Sequence, residues 1–248
     1  MSGMDSNIAS HLEKIHESGK RDFRWENLRL LVKKYVKGHS VLDAGCGTGH
    51  MTLSLLNEGY QVTAIDCVED LTSFTHKILE QNDRTASIHT MDLMNVKSLG
   101  NDIYDTIICL DVLEHIEDDQ TVLNNLVYTL KEEAILIVSV PAFSFLYGIR
   151  DKEIGHYRRY NRDDLVKLIE SSGLTVIKIK YWNFLGFFPV IISEKLLKKQ
   201  INEEFRYRNN APFYYGFLNK WFSTVENNIS FPVGLSLIAV CKKPSYNK

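Results

Sequence analysis

The residues best equipped for chemistry are a run of glycines and four aspartates that close apolar segments. Asp43-Ala44-Gly45-Cys46-Gly47-Thr48-Gly49 has the pattern D-x-G-x-G-x-G. Glycines at this spacing let the chain turn sharply and let a ligand lie against bare backbone. A dinucleotide fingerprint would read G-x-G-x-x-G; Gly45 and Gly47 fit it, but its third glycine falls on His50. A phosphate-binding Walker loop is excluded, because no Gly-Lys-Ser/Thr follows. Asp66, Asp92 and Asp111 each follow a later apolar run, as Asp43 closes the first. Four acids on one rim repel a polyphosphate and suit a ligand carrying hydroxyls, amines or positive charge. A second constellation is Gly155-His156-Tyr157-Arg158-Arg159-Tyr160. There His156 is a candidate general base near neutral pH. Arg158 and Arg159, with Tyr157 between them and the histidine, are candidates for holding an anionic group on a substrate. His115, in Leu113-Glu114-His115-Ile116, is a second catalytic candidate.

These residues need elements to hold them, and the apolar pattern supplies them. Leu28, Leu31, Val32 and Tyr35 fall at i, i+3, i+4 and i+7, which predicts an amphipathic helix. Val41–Asp43, Val62–Ile65, Ser87–Thr90, Tyr104–Leu110, Ala134–Val140, Leu174–Tyr181 and Leu235–Lys242 read as strands. Helical stripes lie between the first six, including Val122, Leu123, Leu126, Val127 and Leu130. Asn161 is a candidate cap for the helix carrying Leu165, Leu168 and Ile169. Strands alternating with helices predict an α/β fold around a mostly parallel sheet, whose ligands bind at the carboxyl ends of the strands. All four aspartates stand at such ends, and the His156 loop lies between Pro141 and Tyr160 on the same rim.

VLDAGCGTG, VTAID, TMDL and YDTIICLDVLEHI, taken together, resemble the successive motifs of the class I S-adenosylmethionine-dependent methyltransferases, in particular the type 11/23-like small-molecule enzymes. The resemblance covers residues 41–181, and the last strand fits it too. It implies a Rossmann-like seven-stranded sheet, mostly parallel with the last strand antiparallel, and S-adenosyl-L-methionine as cofactor with S-adenosyl-L-homocysteine as product. Carried over residue by residue, it assigns Asp43, Gly45, Cys46, Gly47 and Gly49 to the methionine part. Asp66, with Cys67 beside it, would hold the ribose, and Asp92 and Leu93 would meet the adenine. Leu110 and Asp111 would stand near the sulfonium and the acceptor. Methyl transfer from a sulfonium is an in-line displacement, so alignment is the main task and a base is needed for a hydroxyl acceptor. The spacing of His, Cys and acidic residues shows no metal-ligand cluster, and no metal is expected. The His156 loop also resembles a G-H-x-R-R-Y loop of methyltransferases that sit among sugar and cell-envelope biosynthesis enzymes.

Charge divides the chain of 248 residues unevenly. Residues 1–181 carry 20 basic against 27 acidic residues, and residues 182–248 carry 9 against 4. The overall net of −2 argues against a nucleic-acid partner. Thirteen of the 27 aromatic residues lie in 182–232. The expected organisation is an N-terminal helical segment over 1–40, a cofactor domain over 41–181 and 233–248, and a helical insert over 182–232. Three roles fit that insert: a cap over an apolar acceptor pocket, a homodimer interface, or a peripheral membrane contact that admits a lipid-linked acceptor. Four dispersed cysteines and a polar N-terminus without an apolar signal core point to a cytoplasmic protein, at most peripheral to the inner membrane face. The reading of function is methyl transfer to a small-molecule or lipid-linked metabolite, at oxygen before nitrogen. The alternatives are a catalytically silent cofactor-binding module and a protein or nucleic-acid methyltransferase.

Overall fold

The computed structural model describes residues 16–17, 22–196 and 212–245. Residues 1–15 and 18–21 of the N-terminal segment, and residues 197–211 of the insert with Leu197, Lys198 and Lys199, lie outside the described residues. Seven strands form one sheet: β1 Ser40–Ala44, β2 Gln61–Asp66, β3 Ser87–Thr90, β4 Tyr104–Leu110, β5 Leu130–Pro141, β6 Thr175–Trp182 and β7 Ser236–Lys242. Their order is β3-β2-β1-β4-β5-β7-β6, with β7 antiparallel to both its neighbours and the other pairs parallel. The resemblance had implied this arrangement, final antiparallel strand included.

Strand side chains alternate between two cores. Ile107 and Cys109 of β4, and Leu136 and Val138 of β5, face one side. Ile108 of β4, and Ile135 and Ile137 of β5, face the other. Each fully buried aliphatic side chain of this kind contributes roughly 1.5–3 kcal/mol. Helices close both sides. α1 Phe23–Lys33 and α2 His50–Asn57 cover the second face with Leu28, Leu31, Val32, Met51 and Leu55. α3 is Glu69–Gln81, and its Phe74 and Ile78 form a separate small core. α4 Asp119–Thr129 covers the first face with Val122, Leu123 and Leu126.

The segment after β5 departs from a plain loop. A short helix, α5 Ile149–Glu153, lies inside it, started where the Gly148 N–H donates to the Asp151 carboxylate at 2.9 Å. α6 Arg162–Ser171 follows Asn161, but the Asn161 side chain does not cap it. That amide instead accepts from the Ser144 backbone and donates to Asp164, so it ties the loop to the helix.

The insert begins one residue later than the expected 182–232, because Trp182 closes β6. After it come α7 Phe184–Val190 continuing as a π-helical stretch Ile191–Leu196, then α8 Pro212–Trp221 continuing as Phe222–Glu226, and a turn through Phe231, which bridges to Tyr181. It is not separate from the N-terminal segment. Phe222 is buried between Phe23 of α1 and Trp182 of β6, at ring separations of 5.1 and 5.0 Å. Asn27 donates to Asn219, Asn227 donates to the Asn27 carbonyl, and Tyr215 donates to Glu26. Helix α1 and the second half of the insert therefore form one layer over the sheet.

Candidate functional site

Strand register sets the rim. Parallel pairing puts Asp43 opposite Ala64 and Asp66 opposite Thr90, so the ends of β1, β2 and β3 carry their acids side by side. The glycine loop leaves β1 with Gly45, Gly47 and Gly49 all at positive φ. The backbone N–H groups of Gly45 and Cys46 both donate to the Ile65 carbonyl at 2.8 Å, pinning the loop to β2. A Cβ on Gly45 would stand 2.3 Å from Val112 Cγ2, so only glycine fits there. At Gly47 a Cβ would meet nothing, which leaves open space against its backbone. Asp66 accepts from the Gly47 and Val68 N–H groups, both at 3.0 Å. Asp92 caps the 3-10 turn Leu93–Leu99 through the Met94 N–H, with Leu93 buried beneath. Asp43 is buried and accepts from Thr52 Oγ1 at 2.6 Å; burial lifts its carboxyl to about 6. Cys46 is buried and Cys67 exposed, and burial is the main cause that raises both thiols.

Asp111 follows β4 with φ +54, the left-handed region that a non-glycine residue seldom adopts. Two bonds from β5 hold it there: its N–H to the Ser139 carbonyl and Ser139 Oγ to its Oδ1, both 2.8 Å. Its other oxygen receives Arg24 Nη2 of α1 at 3.2 Å. Beside this pair lies a cavity of about 490 Å³. Its floor is polar, formed by Asp111, Glu114, His115 and His156 with Arg24 and Arg159. Its walls are mostly apolar, with Phe23 from α1, Ile154 after α5, Leu185 and Val190 from α7, and Leu218 and Phe222 from the second half of the insert, while Arg150, Asn183 and Ser236 add polar groups.

Within the floor, Glu114 is 1% exposed and its Oε2 has no hydrogen-bond partner. Burial, then the nearby Asp111 charge, holds its carboxyl well above the usual carboxylate range. Glu114 Oε1 stands 3.9 Å from His156 Nε2, and the His115 and His156 rings meet edge to face at 4.6 Å. Burial, then the neighbouring His156, lowers the His115 imidazole. Asp151 is fully buried beneath His156; its Oδ1 lies 2.9 Å from His156 Nδ1, and both oxygens take Arg159 Nε at 2.8 and 2.9 Å. Burial disfavours its charge, but the bonds from His156 and Arg159 outweigh that and pull it down to about 2.

His156, His115 and Asp111, the three catalytic candidates, thus meet in one cavity. The proposed substrate residues do not all join them. Arg159 lines the cavity but its Nε is committed to Asp151. Arg158 turns away, donating to Asp119 Oδ2 at 2.9 Å and to the Glu117 carbonyl, while Tyr160 OH donates to the same Asp119 oxygen. The Tyr157 side chain is exposed, and its backbone N–H donates to the Glu114 carbonyl at 2.7 Å. These contacts fasten the histidine loop to the turn after β4. The spacing pattern also did not foresee that Glu114, His115 and His156 each place a ligand-capable atom within 4.8 Å of the others. Asp151 went unmarked, and the Gly155 turn that brings position 151 back under position 156 was its local signal. A cap over an apolar pocket was one of the three roles expected of the insert, and its Leu185, Val190, Leu218 and Phe222 line the cavity.

A methyltransferase domain model matches residues 16–179. The ubiquinone biosynthesis O-methyltransferase of Rickettsia canadensis is 26% identical over 153 residues, which are 56% of this chain and 64% of that one. The enzyme of the same name from Rickettsia bellii is 26% identical over 211 residues, 73% of this chain and 86% of its own. The chain therefore spans a little under two thirds of the first relative. In fold, the crystal structure of an S-adenosylmethionine-dependent methyltransferase from Archaeoglobus fulgidus superposes with a TM-score of 0.60 at 21% identity, over 92% of this chain and 98% of that one. The residues present fit the cofactor that this family uses: open space against Gly47, and carboxylates at the ends of adjacent strands for its hydroxyls and amine. With the domain model covering two thirds of its length, the chain belongs to the class I S-adenosylmethionine-dependent methyltransferases.

Proposed function

We propose that this protein transfers a methyl group from S-adenosylmethionine to an oxygen of a small, lipid-linked acceptor. The observation that carries this reading is the cavity beside Asp111, which joins a polar floor to mostly apolar walls. An amphipathic acceptor would set its hydroxyl among His156, His115 and Glu114 and its chain against α7 and Phe222. The name shared by the two rickettsial relatives supports oxygen as acceptor atom and a lipid-linked substrate.

The cofactor supplies an activated methyl carbon on a sulfonium. The chain's own task is to hold that group on the β1–β3 rim, to seat the acceptor in line and to exclude water. Asp43 and the glycine loop would hold the methionine part, Asp66 the ribose, and Asp92 with Leu93 the adenine. Asp111, fixed by Ser139 and Arg24, stands where the rim meets the cavity. His156 would take the hydroxyl proton as the methyl moves.

Peripheral membrane contact through the insert accords with this acceptor. Phe188, Ile192, Tyr214 and Phe217 are about half or more exposed, and they sit on the same helices that wall the cavity. No helix among the described residues is long and apolar enough to cross a membrane.

Calorimetry with S-adenosylhomocysteine, followed by radiolabelled methyl transfer to prenylated and unprenylated phenols, tests the reading. Binding is expected for the intact chain and is expected to fall at least tenfold in Asp66→Ala. Transfer is expected to the prenylated phenol, with a product stable to mild acid as an ether is. Binding without transfer to any acceptor would leave a silent cofactor-binding module, and transfer to protein or nucleic acid alone would overturn the acceptor class.

A further inference from the structure

We propose that Asp151 is the positioning residue of the site: it decides which nitrogen of His156 faces the acceptor. The inference rests on the reading of His156 as the proton acceptor, and it concerns a residue outside every motif of the cofactor rim.

Asp151 is fully buried, and its Oδ1 is 2.9 Å from His156 Nδ1. A buried carboxylate paired with Arg159 and the Gly148 N–H is ionised, and an ionised carboxylate only accepts hydrogen bonds. His156 Nδ1 must therefore carry the proton. A neutral imidazole has one N–H, so its lone pair is left on Nε2, the nitrogen 3.9 Å from Glu114 Oε1 in the cavity floor. The backbone reinforces the ring's placement: the His156 N–H donates to the Asp151 carbonyl and Tyr147 OH donates to the His156 carbonyl, both 2.8 Å. In the transfer step the acceptor O–H bond breaks and its proton goes to Nε2. The oxygen bonds the methyl carbon, and the C–S electron pair returns to sulfur. The imidazolium formed is stabilised by the Asp151 charge behind it, the arrangement known from carboxylate–histidine pairs on unrelated folds.

Asp151→Asn is the decisive change. An asparagine that keeps its oxygen toward Arg159 presents N–H to Nδ1 and forces the proton onto Nε2, where the ring can no longer accept one. Nitrogen-15 NMR of the histidine ring is expected to show the Nδ1–H tautomer of His156 in the unaltered protein and the Nε2–H tautomer in Asp151→Asn. Turnover in the variant is expected to fall by roughly 10²–10⁴, with S-adenosylhomocysteine affinity and acceptor KM held within about threefold. Finding Nε2–H in the unaltered protein overturns the proposal, even if the variant does not fold. So does a variant with unchanged tautomer and turnover. An unaltered protein that shows the Nδ1–H tautomer but methylates no acceptor supports the placement and instead defeats the reading of the function.

Discussion

The two halves of this molecule hold their acids by opposite means. On the cofactor side Asp43 is buried with Thr52 as its partner, and its carboxyl is lifted to about 6. On the side proposed for the acceptor, Asp151 is buried at least as deeply, yet Arg159 and His156 draw it down to about 2. Burial is common to both; the difference is the presence of cationic or donating partners. The cofactor side is built from turns that directly follow neighbouring strands. The acceptor side is built from pieces far apart in the chain: α1, the loop after β5, and the insert. The first holds a buried acid with a raised carboxyl at the end of β1, and the second depends on charged ties such as Arg24 to Asp111 and Arg159 to Asp151.

The sharpest way to break the contrast is at Glu226. This residue is fully buried at the end of the insert, and its carboxylate accepts from the Asn183 and Phe184 backbone N–H groups and from Trp221 Nε1. It is the tie that starts α7, the wall of the cavity. Glu226→Ala strands those donors. At about 1.5–3 kcal/mol for each bond to a charged group, the variant is expected to lose several kcal/mol and to unfold roughly 5–15 °C lower by calorimetry. Acceptor KM is expected to rise while S-adenosylhomocysteine still binds the surviving protein. Equal losses on both sides would show that the two halves are one cooperative unit at this site.

That distinction also governs which features are legible in the sequence. Asp43 to Gly49, Asp66 and Asp92 were legible because each sits within a few residues of its own strand end, and the parallel register lines up what the pattern places at those ends. The seven strands were legible because buried strands leave continuous or alternating apolar runs. The acceptor floor was half legible: His156, His115 and Asp111 stand out by chemistry. Asp151 does not, since an aspartate in a charged stretch is indistinguishable from a solvated one until Gly155 folds the chain back over it. Arg158 was marked for its charge, and only the fold reveals that Asp119, 39 residues away, takes it up. The aromatic density of the insert was plain, but no local signal says that Phe222 packs on α1.

The two aspartates also contribute to stability with opposite dependence on pH. An acid whose folded value lies above its unfolded one stabilises the fold below the unfolded value and loses that contribution as pH rises through the folded one. Asp43 therefore costs stability between pH 4 and pH 6, by about 3 kcal/mol for two units. Asp43→Asn is expected to remove this slope, so that its stability relative to the unaltered protein improves from pH 4 to pH 7 in denaturant titrations. Asp151 has the opposite sign: its contribution is present above pH 4 and is lost as pH falls toward 2. A flat difference between the Asp43 variant and the unaltered protein across pH 4–7 would remove the contrast.

Metal removal tests whether the cavity floor works through protons alone. Glu114, His115 and His156 are close enough to share an ion, and a bound divalent cation would acidify an acceptor hydroxyl without any base. His156 Nε2 cannot hold an ion and take up a proton at once, so the two modes exclude each other. With His156 as the proton acceptor, dialysis against EDTA is expected to leave turnover unchanged, and added Mg²⁺, Mn²⁺ or Zn²⁺ is expected not to raise it. Loss of turnover in EDTA with recovery on one of these ions would move the deprotonation from the histidine to a metal. Asp151 would then serve to orient a ligand, since a carboxylate behind a metal-bound imidazole fixes the same tautomer. Turnover, and not the tautomer, is therefore the measurement that separates the two.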